Sequence, residues 1–233
     1  MTEGILLVDL DGTLYTGDAP IRCYATELAT LTGDSTLVGA VEEYLSGRSP
    51  IAAADGWEAV RMLAGGVPGR LADAAFLRVR YGMADGTVPV TVSAPLVRLI
   101  GELRARYVPV LATNSPRDGL LALLDRLGVT GLFAEVVFSA RKPDGLVPLA
   151  TRLLRSIGAA AAPWRLLSIG DHWTNDIAPA LRVGAIGGYV DRFGRRSGPA
   201  QLTGPVVDDL LPGIRCWAAD PASFDAAHRI AGG

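Results

Sequence analysis

Two aspartates sit two residues apart where a short apolar run ends. The stretch "GILLVDLDGTLY" places Asp9 and Asp11 directly after "ILLV". In an extended strand, residues i and i+2 point the same way, so both carboxylates face one reacting group. Side by side they repel, and each raises the other's pKa unless a cation offsets the charge. A carboxylate is a usable nucleophile toward an electrophile as strong as a phosphoryl group. Mg²⁺ supplies the offset by bridging carboxylate and phosphate oxygens. One aspartate then attacks while the other carries the leaving group's proton. Gly12 follows, which lets the backbone approach a phosphate closely and point N–H groups at its oxygens. A D-x-D alone fits a solvated strand end equally well. The apolar strand before it and "DGTLY" after it weigh against that reading.

A second signal is compositional. Of 22 basic residues one is a lysine, Lys142. Arginine and lysine serve a solvated surface almost equally well, so this chain takes arginine by default. A position that keeps lysine is a candidate for needing a compact point charge on a flexible stem. Chance survival of one surface lysine is the alternative, and the neighbours of Lys142 must decide.

These residues need elements to hold them. Apolar runs of strand length recur at 5–10, 108–113, 135–139, 165–170 and 185–190. They are dense in Val, Ile and Leu and do not alternate, which marks strands covered on both faces, as in a parallel sheet. Helix-period segments lie between them. One is "SPRDGLLALLDRLG", with Ser115 as expected N-cap and Pro116 in the first turn; others are "PLVRLIGELRARY", "LVPLATRLLRSIG" and "TNDIAPALRVG". Alternating strands and helices predict α/β architecture with a doubly wound parallel sheet, whose chemistry lies at the carboxyl ends of the strands. The interval from 15 to 90 reads differently, as helices at 20–31, 36–46, 55–64 and 70–82 broken by Gly- and Pro-rich turns. The expected organisation is an α/β core of residues 1–14 and 91–233 with a helical domain, 15–90, inserted. The tail after Asp220 reads as a helix ending in a disordered "AGG".

Composition bounds the rest. The chain has 233 residues, 49% hydrophobic, with a formal net charge of −2. It is long enough for a substantial core and has no electrostatic reason to bind nucleic acid or an anionic membrane. No apolar run approaches the ~20 residues that span a bilayer. The N-terminus does not read as a signal peptide. Cys23 and Cys216 imply neither a disulfide framework nor a metal cluster, and both are expected in the core. Together these point to a cytoplasmic location.

The polar clusters fall at the expected strand ends, and here the residues carry a resemblance. "VDLDGTLY" resembles the first motif of the haloacid dehalogenase superfamily. "VPVLATN" is similar to its second motif, ending in Thr113; "SARKPD" to its third, containing Lys142; and "LLSIGDHWTNDI" to its fourth, with Asp171 and Asp176. Four motifs occur in order over residues 5 to about 190. The resemblance implies a haloacid dehalogenase-like Rossmannoid core and a role for each residue. Asp9 is the expected nucleophile, forming an aspartyl-phosphate, and Asp11 the general acid and then base. Thr113, with Asn114 beside it, is expected to hold the transferring phosphoryl group, as is Gly12. Lys142 neutralises nucleophile and phosphate. Mg²⁺ is the implied cofactor, bound by Asp9, Asp11 (through its backbone carbonyl), Asp171 and, less directly, Asp176.

The insertion at 15–90 falls between the first and second motifs. That resembles the helical cap of members similar to phosphoglycolate phosphatase and β-phosphoglucomutase, a cap expected to close over the site and contact the leaving group. Arg48, in the loop "LSGRSPIAAADGW", is the candidate for that contact, and Trp57 is expected to be packing. The name-giving dehalogenases displace halide, which needs no proton, and lack an aspartate at the position of Asp11. Its presence here implies phosphoester chemistry on a small phosphorylated metabolite. The expected activity is a phosphatase. A phosphomutase and a non-catalytic phosphate-binding protein are the alternatives, in a monomer or homodimer. His172 reads as a loop residue, and "DRFGRRSG" (191–198) as a basic solvated loop. The motif after Lys142 departs from the family in placing Gly145 where proline is usual.

Overall fold

A computed structural model describes residues 2–230. The expected "AGG" terminus lies outside the described residues. Among them are eight strands: β1 (Gly4–Val8), β2 (Tyr15–Thr16), β3 (Thr91–Val92), β4 (Tyr107–Ala112), β5 (Glu135–Val137), β6 (Leu166–Gly170), β7 (Ile186–Val190) and β8 (Leu202–Gly204). The helices are α1 (Ala19–Thr32), α2 (Leu37–Leu45), α3 (Gly56–Ala64), α4 (Gly69–Asp85), α5 (Ala94–Leu103), α6 (Leu120–Arg126), α7 (Leu146–Ser156), α8 (Ala178–Arg182), α9 (Leu211–Ala219) and α10 (Pro221–Ala227). Contacts divide the chain into two compact units. One holds residues up to Tyr15, Val92–Pro116 and 131 onward; the other holds Thr16–Thr91 and Arg117–Thr130. The segment 117–130, with α6, thus groups with the inserted helices and not with the α/β unit.

The first unit is built on a six-stranded sheet in the order β5-β4-β1-β6-β7-β8. Every pairing in it is parallel. The strand β1 reads apolar throughout because both its faces are covered. Ile5 and Leu7 turn to one side, packing with Val110, Ala112 and the α7 residues Leu146, Leu149, Leu153 and Leu154. Leu6 and Val8 turn to the other side and are equally buried. The short edge strand β8 was not foreseen, since three residues carry too little pattern to read. Cys216 is exposed on α9, contrary to expectation, because Ile214 and Trp217 take the buried face of that helix.

The register fixes where the sheet ends. Val8 pairs with Leu111 of β4 and with Ile169 of β6. One residue further, Asp9 lies level with Ala112 and Gly170, and Ala112 pairs with Val137, the last residue of β5, so all four motif strands end together. The segment expected as one helix after β6 is instead a π-type turn, Trp173–Ile177, followed by α8.

The expected helix at Ser115 starts later. Helix α6 begins at Leu120, with Gly119 at the N-cap. Ser115 cannot cap it because its backbone is engaged elsewhere: its N–H donates to Thr113 Oγ1 at 3.0 Å and its carbonyl accepts from Ser139 at 2.9 Å.

In the second unit, Tyr24, Trp57 and Phe76 form an aromatic cluster, with Tyr24–Trp57 and Trp57–Phe76 centroids 5.4 and 5.0 Å apart. The Arg80 guanidinium lies 5.1 Å from the Trp57 ring centre and 4.8 Å from that of Phe76. Trp57 is packing, as expected.

Leu7 is central to the sheet core. Leu7→Ala should destabilise the protein by about 2–5 kcal/mol, whereas Leu121→Ala, at an exposed position, should change stability by less than about 0.5 kcal/mol. Chemical denaturation monitored by circular dichroism checks the pair.

Candidate active site

The carboxyl ends of β1, β4 and β6 bring three carboxylates and the single lysine together. The Lys142 ammonium donates to Asp9 Oδ1 at 2.6 Å, to Asp176 Oδ1 at 2.6 Å and to the Ala112 carbonyl at 2.8 Å. Side-chain exposure is 3% for Lys142 and 10% for Asp9, so this is a desolvated contact. All three ammonium protons are thereby satisfied, as a buried charge requires.

Each member is held from behind. Asp9 N–H donates to the Ile169 carbonyl at 2.9 Å, continuing the β1–β6 ladder. Asp176 Oδ2 accepts from the His172 backbone N–H at 3.2 Å, while the Asp176 carbonyl accepts from Ser168 Oγ at 2.8 Å. His172 Nδ1 accepts from the Asn175 N–H at 3.3 Å, which caps the turn and gives this histidine a structural task. Lys142 is clamped through its backbone: Asn114 Nδ2 donates to its carbonyl at 2.9 Å and Asn114 Oδ1 accepts its N–H at 2.7 Å. The side chain of Asn114 therefore places the lysine loop. Ala140 N–H donates to the Thr113 carbonyl at 2.9 Å, which docks that loop against the end of β4.

Two glycines make close approaches possible. Gly12 has φ +75°, and a Cβ there would lie 2.0 Å from Asp171 Oδ2, so the missing side chain makes room for a carboxylate. A Cβ on Gly145 would lie 1.9 Å from the Ala140 carbonyl oxygen. Its N–H also donates to the Arg141 carbonyl at 2.7 Å, which proline could not do. The departure at Gly145 is thus built into the turn that delivers Lys142.

The charges are unbalanced. Burial pushes Asp9 up to about 7; Lys142 pulls it down, while Asp176 and Asp11 add to the rise. Burial pulls Lys142 down, but the Asp176 and Asp9 carboxylates outweigh it and the net shift is upward. Asp9, Asp171 and Asp176 each offer a carboxylate oxygen, all within 4.8 Å of one another. An all-oxygen, anionic donor set of this kind fits a hard divalent cation such as Mg²⁺. The Asp11 carboxylate stands apart from that set. Its Oδ1 accepts from the Tyr15 hydroxyl and its Oδ2 from Ser115 Oγ at 3.3 Å. Thr113 is buried, and its Oγ1 accepts the Ser115 N–H, which leaves the hydroxyl hydrogen to be offered elsewhere. Arg48 lies in the second unit, exposed in the turn after α2, with its backbone N–H on the Glu43 carbonyl.

Sequence reasoning missed Tyr15 and Ser115. Tyr15 stood inside the quoted first motif and Ser115 two residues after Thr113. The former was quoted only as the end of that motif, where the inserted helical interval begins, and the latter was read as a helix cap, so neither hydroxyl was connected to Asp11.

The fold is that of the haloacid dehalogenase-like hydrolases. A protein of Haemophilus somnus 129PT, predicted to be a phosphoglycolate phosphatase, aligns with TM-score 0.64 at 16% identity, covering 92% of this chain and 99% of its own. The HAD hydrolase YfnB of Bacillus subtilis, solved with magnesium bound, aligns with TM-score 0.61 at 16% identity over 92% of this chain and 99% of its own. The 2-haloacid dehalogenase of Pseudomonas syringae pv. tomato DC3000 aligns with TM-score 0.55 at 20% identity over 93% and 99%. No protein-family model and no curated protein matches the chain. Among the described residues no helix is long and apolar enough to cross a membrane.

Removing Lys142 leaves Asp9 and Asp176 buried without their cation. Lys142→Met should cost about 3–5 kcal/mol in metal-free buffer near neutral pH. The deficit should shrink in acid. Asp9 is raised in the folded chain from 3.8 to about 7, so across that window the unfolded chain has already lost a proton that the folded chain keeps. Stability carried by this group therefore falls as pH rises. Losing the lysine extends that window upward, so denaturation midpoints of variant and parent should converge at about pH 5 and diverge at about pH 8.

Proposed function

We propose that the protein is a Mg²⁺-dependent phosphatase that hydrolyses a small phosphorylated metabolite through an aspartyl-phosphate on Asp9. The observation that carries this reading is the placement of Asp9 against the Lys142 ammonium at 2.6 Å, with a second carboxylate, Asp11, two residues on and held by hydroxyls. A nucleophile beside a fixed cation, plus a separate carboxylate able to carry a proton, is what ester cleavage with a poor leaving group needs.

The residues act in two steps. In the first, an Asp9 oxygen forms a bond to phosphorus as the bond from phosphorus to the ester oxygen breaks. Asp11 gives its proton to the departing alkoxide. In the second, water attacks the phosphorus of the aspartyl-phosphate, Asp11 takes the water's proton, and Asp9 is released with inorganic phosphate. The Lys142 ammonium stabilises negative charge on nucleophile and phosphoryl oxygens throughout. The Thr113 hydroxyl and the N–H groups around Gly12 and Asn114 are assigned to the phosphoryl oxygens. Mg²⁺, held by Asp9 and Asp171 with Asp176 alongside and the Asp11 carbonyl as a further candidate ligand, supplies charge neutralisation that favours ionised Asp9.

Halide displacement, the reaction named for one structural neighbour, gives Asp11 nothing to do, since a halide leaves without a proton. The neighbour predicted to act on phosphoglycolate and the magnesium-bound neighbour support the phosphatase reading. The inserted helices, residues 15–90, are assigned to selecting the leaving group, with Arg48 the candidate contact. This rests on their place in the chain between the first and second motifs.

A panel of sugar phosphates, phosphoglycolate, nucleotides and phosphorylated amino acids, assayed for phosphate release, tests the proposal. At least one ester should be hydrolysed with Mg²⁺ and none after chelation. Asp9→Asn should fall to background, and Asp11→Asn should lose about 10²–10⁴-fold. Isomerised sugar phosphate without net phosphate release makes the protein a mutase. No turnover of any member leaves a binding protein.

A further inference from the structure

Both oxygens of Asp11 are engaged by hydroxyl donors that the fold itself holds in place. Tyr15 is 2% exposed, and its hydroxyl donates to Asp11 Oδ1. The turn between them is closed by N–H donations from Leu14 and Tyr15 to the Leu10 carbonyl, at 3.0 and 3.3 Å, and Asp11 and Tyr15 pair as an isolated parallel bridge. The ring is thereby returned to the carboxylate four residues earlier. Ser115 approaches from the end of β4. It is 6% exposed, its N–H fixed on Thr113 Oγ1 and its carbonyl taking the Ser139 N–H, and its Oγ lies 3.3 Å from Asp11 Oδ2.

We propose that Tyr15 and Ser115 are positioning residues for Asp11, which hold its carboxyl group where the proton can pass to an alkoxide leaving group. The proposal rests on the phosphatase reading above. A protonated carboxyl group still accepts hydrogen bonds beside the O–H it carries, so hydroxyl donors can hold the acid while it keeps the transferable proton. When that proton moves to the ester oxygen, the bond from phosphorus to that oxygen breaks and Asp11 is left as a carboxylate. The two hydroxyls then donate to an anion, and such hydrogen bonds are stronger than those to a neutral acid. The pair thus orients the acid before transfer and stabilises its conjugate base after it. The effect is confined to reactions in which the leaving group needs a proton.

That restriction supplies the test. The parameter kcat/KM covers the steps through phosphoryl transfer to Asp9, and it is compared for an alkyl phosphate ester from the panel and for p-nitrophenyl phosphate, whose leaving group departs with little help from an acid. Tyr15→Phe removes one oxygen and keeps the ring. It should lower kcat/KM for the alkyl ester by on the order of 10- to 100-fold, and for the aryl ester by less than about threefold. Asp11→Asn should show the same selectivity, and Tyr15→Phe added to it should cost nothing further, since the two act as one unit. Should Tyr15→Phe not fold, Ser115→Ala carries the same comparison. Equal losses on both esters, or losses that add to those of Asp11→Asn, overturn the positioning role while leaving the phosphatase standing. Failure of the unaltered protein to release phosphate from any ester overturns the phosphatase reading and this assignment with it.

Discussion

A lysine ammonium shared between two buried carboxylates governs the arrangement of this site. Taking one cation and two anions out of water costs several kcal/mol per ion, and the attraction among them repays it only if every proton and lone pair is well placed. The Ala112 carbonyl takes the third ammonium proton, and the His172 backbone N–H serves the outer oxygen of Asp176. Even so, the group carries an excess negative charge, and Asp171 beside it adds another. Such a cluster stays ionised and folded together most readily when a further cation joins it. Its electrostatics therefore lean toward a divalent ion before any substrate is considered.

The positioning of Lys142 depends on a backbone route that is itself costly. Ser139 and Arg141 adopt φ of 45° and 52°, a left-handed conformation that side-chain-bearing residues seldom take. Each costs on the order of 1–3 kcal/mol and persists only where surrounding contacts over-determine it. Here the contacts are those of Ser139 and Ala140 to the strand-end residues Ser115 and Thr113, and the Asn114 clamp on Lys142. The third motif is thus fastened to the second, and the second to the first through Ser115 and Asp11.

Much of this was legible because the physics that makes it is local. Strands buried on both faces leave unbroken apolar runs, so β1, β4, β5, β6 and β7 were found with boundaries near those observed. A D-x-D after such a run and a lone lysine amid arginines identified Asp9, Asp11 and Lys142 as candidates, and the structure brings Asp9 and Lys142 into contact. What could not be read depends on partners distant in sequence. Ser115 satisfies every local rule for a helix cap, yet its N–H and carbonyl are spent on Thr113 and Ser139. The same holds for segment 117–130, whose helical pattern says nothing about which unit it joins. Asn114 was expected to meet phosphate through its backbone, while its side chain turns out to fasten the lysine loop, a task visible only once residues 28 positions apart are adjacent.

The scarcity of lysine has a practical side. Reagents that acylate or reductively alkylate amines have a single side-chain target in this chain, distinct from the backbone α-amine, and it is 3% exposed and locked between two acids. Its labelling rate would report how often the site loosens, read out at one residue without background from a decorated surface. Conversely, attaching dyes or supports through lysine would either fail or strike the one amine the chemistry needs, so thiol coupling at the exposed Cys216 is the safer handle.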